Sequence, residues 1–219
     1  MTIRCNNFVP AAALLVLVST PPATLAQTVD QLTPNRVKLE SVEYKGKRAV
    51  KVTEDGQVGN GEAYAIVKGP EFRNGTIEVE LAGVPAASAG PAARGFIGVA
   101  FRIRDGKFEY IYLRPTNGRA DDQVRRNHST QYSSFPDFDF ARSRKEAPEK
   151  YESYVDLEPG VWTRVRIVVQ GTTAKLFVHG APQPALIVSD LKLGDASGAV
   201  ALWIGPGTEG HFSGLTVKP

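Results

Sequence analysis

The chain predicts an all-β protein, a sandwich of two antiparallel sheets. About ten to twelve short strand patterns recur, each bounded by Gly, Pro, Asn or Asp. The segment Phe96–Pro115 alternates strictly, with Ile97, Val99, Phe101, Ile103, Ile111 and Leu113 on one face. No amphipathic helix of useful length and no internal repeat interrupts the series. A strand with one apolar face must bury that face, and a second sheet is the partner that fits.

The elements follow in order. Arg36–Tyr44 and Arg48–Thr53 flank Lys45-Gly46-Lys47 and predict a hairpin. Asp55-Gly56 and Asn60-Gly61 break the chain before a strand at Ala63–Lys68. Asn74-Gly75 leads into Thr76–Leu81, where Ile77, Val79 and Leu81 alternate with Thr76, Glu78 and Glu80. Gly83–Gly95, rich in Ala, Pro, Ser and Gly, reads as a mobile surface loop. Phe96–Arg114 forms a hairpin that turns at Asp105-Gly106. The pattern then stops, and residues from about 115 to 160 read as a long loop. Trp162–Gln170 and Thr173–His179 pair across Gly171. Leu186–Val188, Ala199–Ile204 and His211–Val217 complete the domain, taken as residues 27–219.

Residues 1–26 read as a secretory signal. Arg4 is their only charge, Val9–Val18 is an apolar core too short to span a bilayer, and Thr24-Leu25-Ala26 offers a cleavage site. The expected destination is the periplasm or the extracellular medium, with no membrane span after cleavage. Cleavage removes the single Cys and the single Met. Disulfides, thiol nucleophiles and Cys-ligated metals are thereby excluded from the mature domain. The net charge of +3 is small, and no Lys/Arg run supports nucleic-acid binding.

Several segments together resemble concanavalin A-like lectin/glucanase domains, including their laminin-G-like members. Phe72-Arg73-Asn74-Gly75-Thr76-Ile77-Glu78-Val79-Glu80-Leu81 is similar to an early core strand, and Gly95–Arg102 to the next. Gly160-Val161-Trp162-Thr163-Arg164-Val165-Arg166-Ile167 resembles the G-x-W-x-x-V-x-I strand. Gly198–Gly205 and Phe212–Val217 resemble the terminal pair. Each motif is weak alone; their order and spacing carry the likeness, which covers most of residues 27–219. The resemblance implies a jelly roll whose concave sheet often carries sugar. The 3-keto-disaccharide hydrolase domain family is a related bacterial branch, although Gly214 stands where its terminal strand has Asn.

The second face of the alternating hairpin holds Gly98, Ala100, Arg102, Tyr110, Tyr112 and Arg114. Small residues would let a ligand approach. Tyrosine offers a ring for sugar C–H groups and a hydroxyl for sugar oxygens. Arginine offers a donor fork that selects an acidic or oxidised sugar. Trp203 shares this composition beside Ala199 and Ala201. The competing reading packs these rings as a satellite core under the long loop. In that loop Asn127, His128, Gln131 and Tyr132 are rich in donors and acceptors suited to closing over a sugar.

The acidic residues bear on catalysis. Retaining glucanases of this fold carry a compact E-x-D-x-x-E motif, and this chain lacks it. Glu78 and Glu80 are commoner as a solvated face. His128 and Glu152 are the candidate catalytic residues, His128 because imidazole titrates near neutral pH. His128, His179 and His211 show no metal-site spacing, although His211 stands where it could reach the cleft beside Trp203. No cofactor is expected; calcium oxygen ligands could come from Asp121, Asp122, Asp137 and Asp139, without a defined loop. The expected function is an exported carbohydrate-binding domain. The alternatives are a glycosidic-bond hydrolase at the same cleft and a structural or protein-interaction domain of the envelope.

Overall fold

The computed structural model describes Met1 and residues 28–56 and 61–218. Apart from Met1, the expected signal segment lies outside the described residues. In chain order the first strands are β1 (Leu32–Asn35), β2 (Val37–Tyr44), β3 (Lys47–Glu54), β4 (Tyr64–Val67) and β5 (Gly75–Pro85). The central hairpin is β6 (Ile97–Arg104) and β7 (Lys107–Leu113). Next come α1 (Gln123–Asn127), β8 (Thr130–Phe135), α2 (Phe140–Glu146) and β9 (Glu152–Ser153). The chain finishes with β10 (Thr163–Gln170), β11 (Thr173–Val178), β12 (Leu186–Val188), β13 (Ala199–Ile204) and β14 (Thr208–Lys218).

Two seven-stranded sheets form the sandwich. The front sheet runs β1-β4-β13-β6-β7-β8-β9 and the back sheet β12-β11-β10-β5-β14-β3-β2, every pair antiparallel. The alternation read from the sequence explains the layering. Val99, Phe101, Ile111 and Leu113 of the front sheet join Ile77, Val79, Leu81, Val165 and Ile167 of the back sheet in one buried core. Glu78 and Glu80, on the opposite face of β5, pair with Arg164 and Lys47.

The segment expected as a long loop instead carries two strands and two short helices. β8 pairs with β7 along its whole length and β9 adds the edge. Asp122 and Asp139 cap α1 and α2, accepting from the backbone N–H groups of Arg125 and Arg142 at 2.7 and 2.8 Å. Those two carboxylates thus have a structural task. Among the described residues no group of three or more His, Cys, Asp or Glu side chains is placed to hold a metal ion.

One expected face assignment is corrected. Alternation puts Arg102 on the face of Ala100 and Tyr110, but the ladder shifts register after Phe101, and Arg102 takes φ +57°. This bulge inserts one extra residue and reverses the alternation beyond it. Ile103 now packs on the outer aromatic cluster, while Arg102 turns inward, 1% exposed. Its guanidinium donates to the carbonyls of Arg73, Gly194 and Gly171 at 2.6, 2.5 and 2.8 Å. It therefore holds three loops together.

Candidate functional site

The outer face of the front sheet carries a second cluster, separate from the core: Tyr64, Ala100, Phe108, Tyr110, Tyr112, Ala201 and Trp203. Trp203 on β13 lies against both tyrosines of β7, its ring centre 4.9 Å from Tyr110 and 5.0 Å from Tyr112. The two tyrosines stack at 5.5 Å. Gly98 makes this possible. It sits opposite Tyr112 in the ladder, and a Cβ there would lie 2.6 Å from the Tyr112 Cα. The small residue admits the neighbouring strand and ring, not a ligand. The indole N–H donates to the Gly61 carbonyl at 2.7 Å, which fixes the ring.

Above this layer is an open cavity of about 900 Å³. Tyr110, Tyr112 and Trp203 form its floor, and Phe96, Phe135 and Phe140 stand around it. The loop at Gly90–Ala93 and the turn at Pro206-Gly207 close one side, and Asp139 supplies a carboxylate. The floor rings are each less than a tenth exposed, whereas Phe140 is 47% exposed. The floor is therefore mostly packed rings, and the accessible aromatic surface is on the wall. Burial pushes the phenols of Tyr110 and Tyr112 above their ordinary range, so both remain neutral hydrogen-bond donors at physiological pH.

A second, basic cavity of about 410 Å³ adjoins the first and shares Ala92, Phe96 and Phe140 with it. Arg94, Arg114, Arg125 and Arg144 line it, with His128. Behind them lies a buried polar network. The Arg114 guanidinium donates to Glu152 Oε1 at 2.9 Å, to the Tyr112 hydroxyl at 2.9 Å, to the His128 carbonyl at 3.0 Å, and to Gln131 Oε1. Arg144 grips the same Glu152 carboxylate at 2.6 and 2.8 Å. His128 Nε2 lies 3.0 Å from Glu149 and 3.5 Å from Glu152. Burial alone would raise the Glu152 carboxyl. The hydrogen bond from Arg144 and the charges of Arg114, Arg144 and His128 outweigh it and hold the group below its usual range. A carboxylate held ionised between two arginines is an anchor, poorly suited to donating a proton.

The remaining sequence candidates scatter. Gln131 is fully buried beside Arg114 and donates to Ser143 Oγ at 3.1 Å. Tyr132 faces the inter-sheet core, where its hydroxyl donates to Glu109 Oε2 at 2.5 Å. Burial pushes the Glu109 carboxyl up, and the Tyr132 and Leu193 N–H hydrogen bonds satisfy it. Asn127 ends α1 and accepts from Gln123, outside both cavity linings. His211, expected beside Trp203, lies on β14 of the back sheet and stacks on Tyr44 at 3.7 Å. Of the sequence candidates, the structure gathers Tyr110, Tyr112, Arg114, His128, Gln131, Glu152 and Trp203 on one face, and leaves Arg102, Asn127 and Tyr132 away from it.

Sequence reasoning missed Phe96, Phe140, Arg94 and Arg125 as cavity residues. Phe96 and Phe140 gave no signal beyond their size, because one precedes a strand and the other opens a short helix. Arg94 lies in the segment Gly83–Gly95, whose composition reads only as a mobile loop, and Arg125 lies in the unpatterned stretch from about 115 to 160.

The fold defines the class. It is a two-sheet antiparallel jelly-roll sandwich. The carbohydrate-binding module CBM66 from Bacillus subtilis superposes with TM-score 0.59 at 10% identity, over 86% of this chain and 96% of that one. A protein of unknown function with a galectin-like fold, also from Bacillus subtilis, gives 0.52 at 10% identity, over 86% and 89%. A conjectured glycosyl hydrolase from Parabacteroides distasonis ATCC 8503 gives 0.51 at 10% identity, over 86% and 93%. No family model matches the chain, and no curated protein sequence matches it. Likeness at this identity establishes the fold and transfers no activity.

Proposed function

We propose that this protein binds a carbohydrate in the aromatic cavity on the outer face of the front sheet. The observation that carries the reading is the cavity itself: about 900 Å³, floored by Tyr110, Tyr112 and Trp203 and walled by Phe96, Phe135 and Phe140. That volume and lining suit a small saccharide, whose C–H faces pack on rings while hydroxyls meet a few fixed polar groups. Phe140 is the ring with most exposed surface, Asp139 is the acceptor, and the neutral Tyr110 phenol is the donor. The name of the carbohydrate-binding module of similar fold agrees with this reading.

The reading includes export. Residues 1–26 act as the signal, and the domain works in the periplasm or outside the cell. No helix among the described residues is long and apolar enough to cross a membrane. Mass measurement of the protein recovered from the cell exterior or periplasm should show a chain beginning at Gln27; an intact Met1 there would refute cleavage.

Glycosidic-bond hydrolysis at the same cleft is a second reading, favoured by His128 on the lining of the adjoining basic cavity, against the exposed Glu149. Titration of the protein with a glycan panel, reading heat of binding and released reducing sugar together, separates the two. Binding without release supports a binding domain. Release that His128→Ala abolishes supports the hydrolase, and silence in both channels refutes both.

A further inference from the structure

We propose that the basic cavity seats the anionic group of an acidic saccharide, a uronate carboxylate or a sulfate ester, between Arg94 and Arg125. This rests on the carbohydrate reading above and specifies its ligand class.

The arginines first nominated from the sequence cannot do this. Arg102 is spent on backbone carbonyls, and Arg114 is 5% exposed and matched by Glu152. Arg144 is matched by the same carboxylate. Arg94 and Arg125 differ. Arg94 donates only to the carbonyls of Pro91 and Ala93, at 2.6 and 2.9 Å, both through one nitrogen. Arg125 donates to Asn117 Oδ1 at 2.9 Å and to Thr116 at 3.2 and 3.3 Å. Neutral oxygens thus orient both forks, and neither has a carboxylate within ion-pair distance among the described residues.

The local charge balance is uneven. Four guanidinium groups line the cavity, against Asp122 in the lining, Glu152 behind it and the exposed Glu149 beside His128. Asp122 is already engaged by the α1 backbone. Burial, with the charges of Arg125 and Arg114, pushes the Arg94 guanidinium below its usual range, which an incoming anion would relieve. Planar guanidinium forks match carboxylate and sulfate oxygens better than ammonium groups do. The cavity adjoins the aromatic cleft at Phe96 and Phe140. One ligand could therefore set a ring in the cleft and its acidic substituent in the side cavity. That continuity favours a charged sugar over a free inorganic anion.

The test uses matched pairs of probes on the purified protein by titration calorimetry at low salt. The pairs are oligogalacturonates with their carboxyl-reduced forms, and heparin-derived oligosaccharides with their desulfated forms. The acidic member of at least one pair should bind about tenfold or more tightly than its neutral partner, which also tells carboxylate from sulfate. Arg94→Gln should erase most of that preference, read as the ratio of acidic to neutral affinity within each pair. Arg125→Gln should act likewise, with circular dichroism checking the Thr116–Asn117 turn it supports. Equal binding of acidic and neutral members, or a preference that survives Arg94→Gln, would overturn this inference and leave carbohydrate binding standing. Binding of inorganic sulfate alone, as tightly as any sugar, would also overturn it. No binding by any saccharide would overturn the carbohydrate reading itself, and this inference with it.

Discussion

Replacing Glu152 with Gln deletes one charge from the network without changing its shape. Glu152 has a side chain 2% exposed and faces Arg114, 5% exposed, and Arg144, 39% exposed. Arg144 can turn to solvent after the substitution, but Arg114 cannot. It would keep neutral acceptors at Tyr112 and the His128 carbonyl and lose its counter-charge. Removing one member of a buried ion pair costs about 3–5 kcal/mol, and the surviving hydrogen bonds place this case near about 3 kcal/mol. For a domain of this size that lowers Tm by roughly 6–12 °C. The folded carboxyl sits below its ordinary value of 4.5, so its pairing stabilises the fold above that pH. The contribution disappears as pH falls through the folded value. Thermal unfolding of wild type and E152Q across pH should therefore show the widest gap at neutral pH and a narrower one in acid. Glu149→Gln, with its side chain 63% exposed, should cost less than about 1 kcal/mol. An E152Q protein that melts like wild type at pH 7 would refute the anchor role and return Glu152 to the list of catalytic candidates.

Arg102→Ala should destabilise strongly, at about 1–3 kcal/mol for each stranded carbonyl of Arg73, Gly171 and Gly194, while leaving sugar affinity of the folded fraction unchanged. Denaturant unfolding and titration check the two halves; lost affinity with normal stability would contradict the bulge geometry. Gly98→Ala should force Tyr112 off its strand, because the new Cβ would lie 2.6 Å from the Tyr112 Cα. Near-UV circular dichroism should show the aromatic layer disturbed, with a loss of about 1–3 kcal/mol typical of overpacking. Trp203→Phe should strand the Gly61 carbonyl and loosen the floor, which indole fluorescence from the remaining Trp162 cannot mask.

The sheets were legible because their strands bury one face and expose another. Val165, Ile167 and Val169 on β10, or Ile77, Val79 and Leu81 on β5, announce themselves by period alone. β8 did not. Its outward residues Gln131 and Ser133 and its inward Thr130 and Ser134 are all buried polar groups, and Gln131 and Thr130 are held by Arg114, Ser143 and the Ser153 carbonyl, partners the sequence cannot display. The face of Tyr110 and Tyr112 followed from alternation; the reversal at Arg102 did not. Its positive φ arises at an arginine with no glycine to mark it, sustained by three distant carbonyls. The same limit hid the cavity walls. Phe140 and Arg94 come to the cleft through loop and helix placement, which local sequence pattern does not encode.

The central claim concerns the cleft, and Phe140 tests it best. Substituting Tyr110, Tyr112 or Trp203 would confuse packing with binding, because those rings are nearly buried. Phe140 is 47% exposed and lines both cavities, so its loss should cost little stability. We would titrate wild type and Phe140→Ala with the tightest saccharide from the panel. Wild type should bind, and the variant should bind about five- to tenfold more weakly at an unchanged Tm, as loss of one ring contact implies. Equal affinity in the two proteins would place the sugar elsewhere and contradict the cleft assignment.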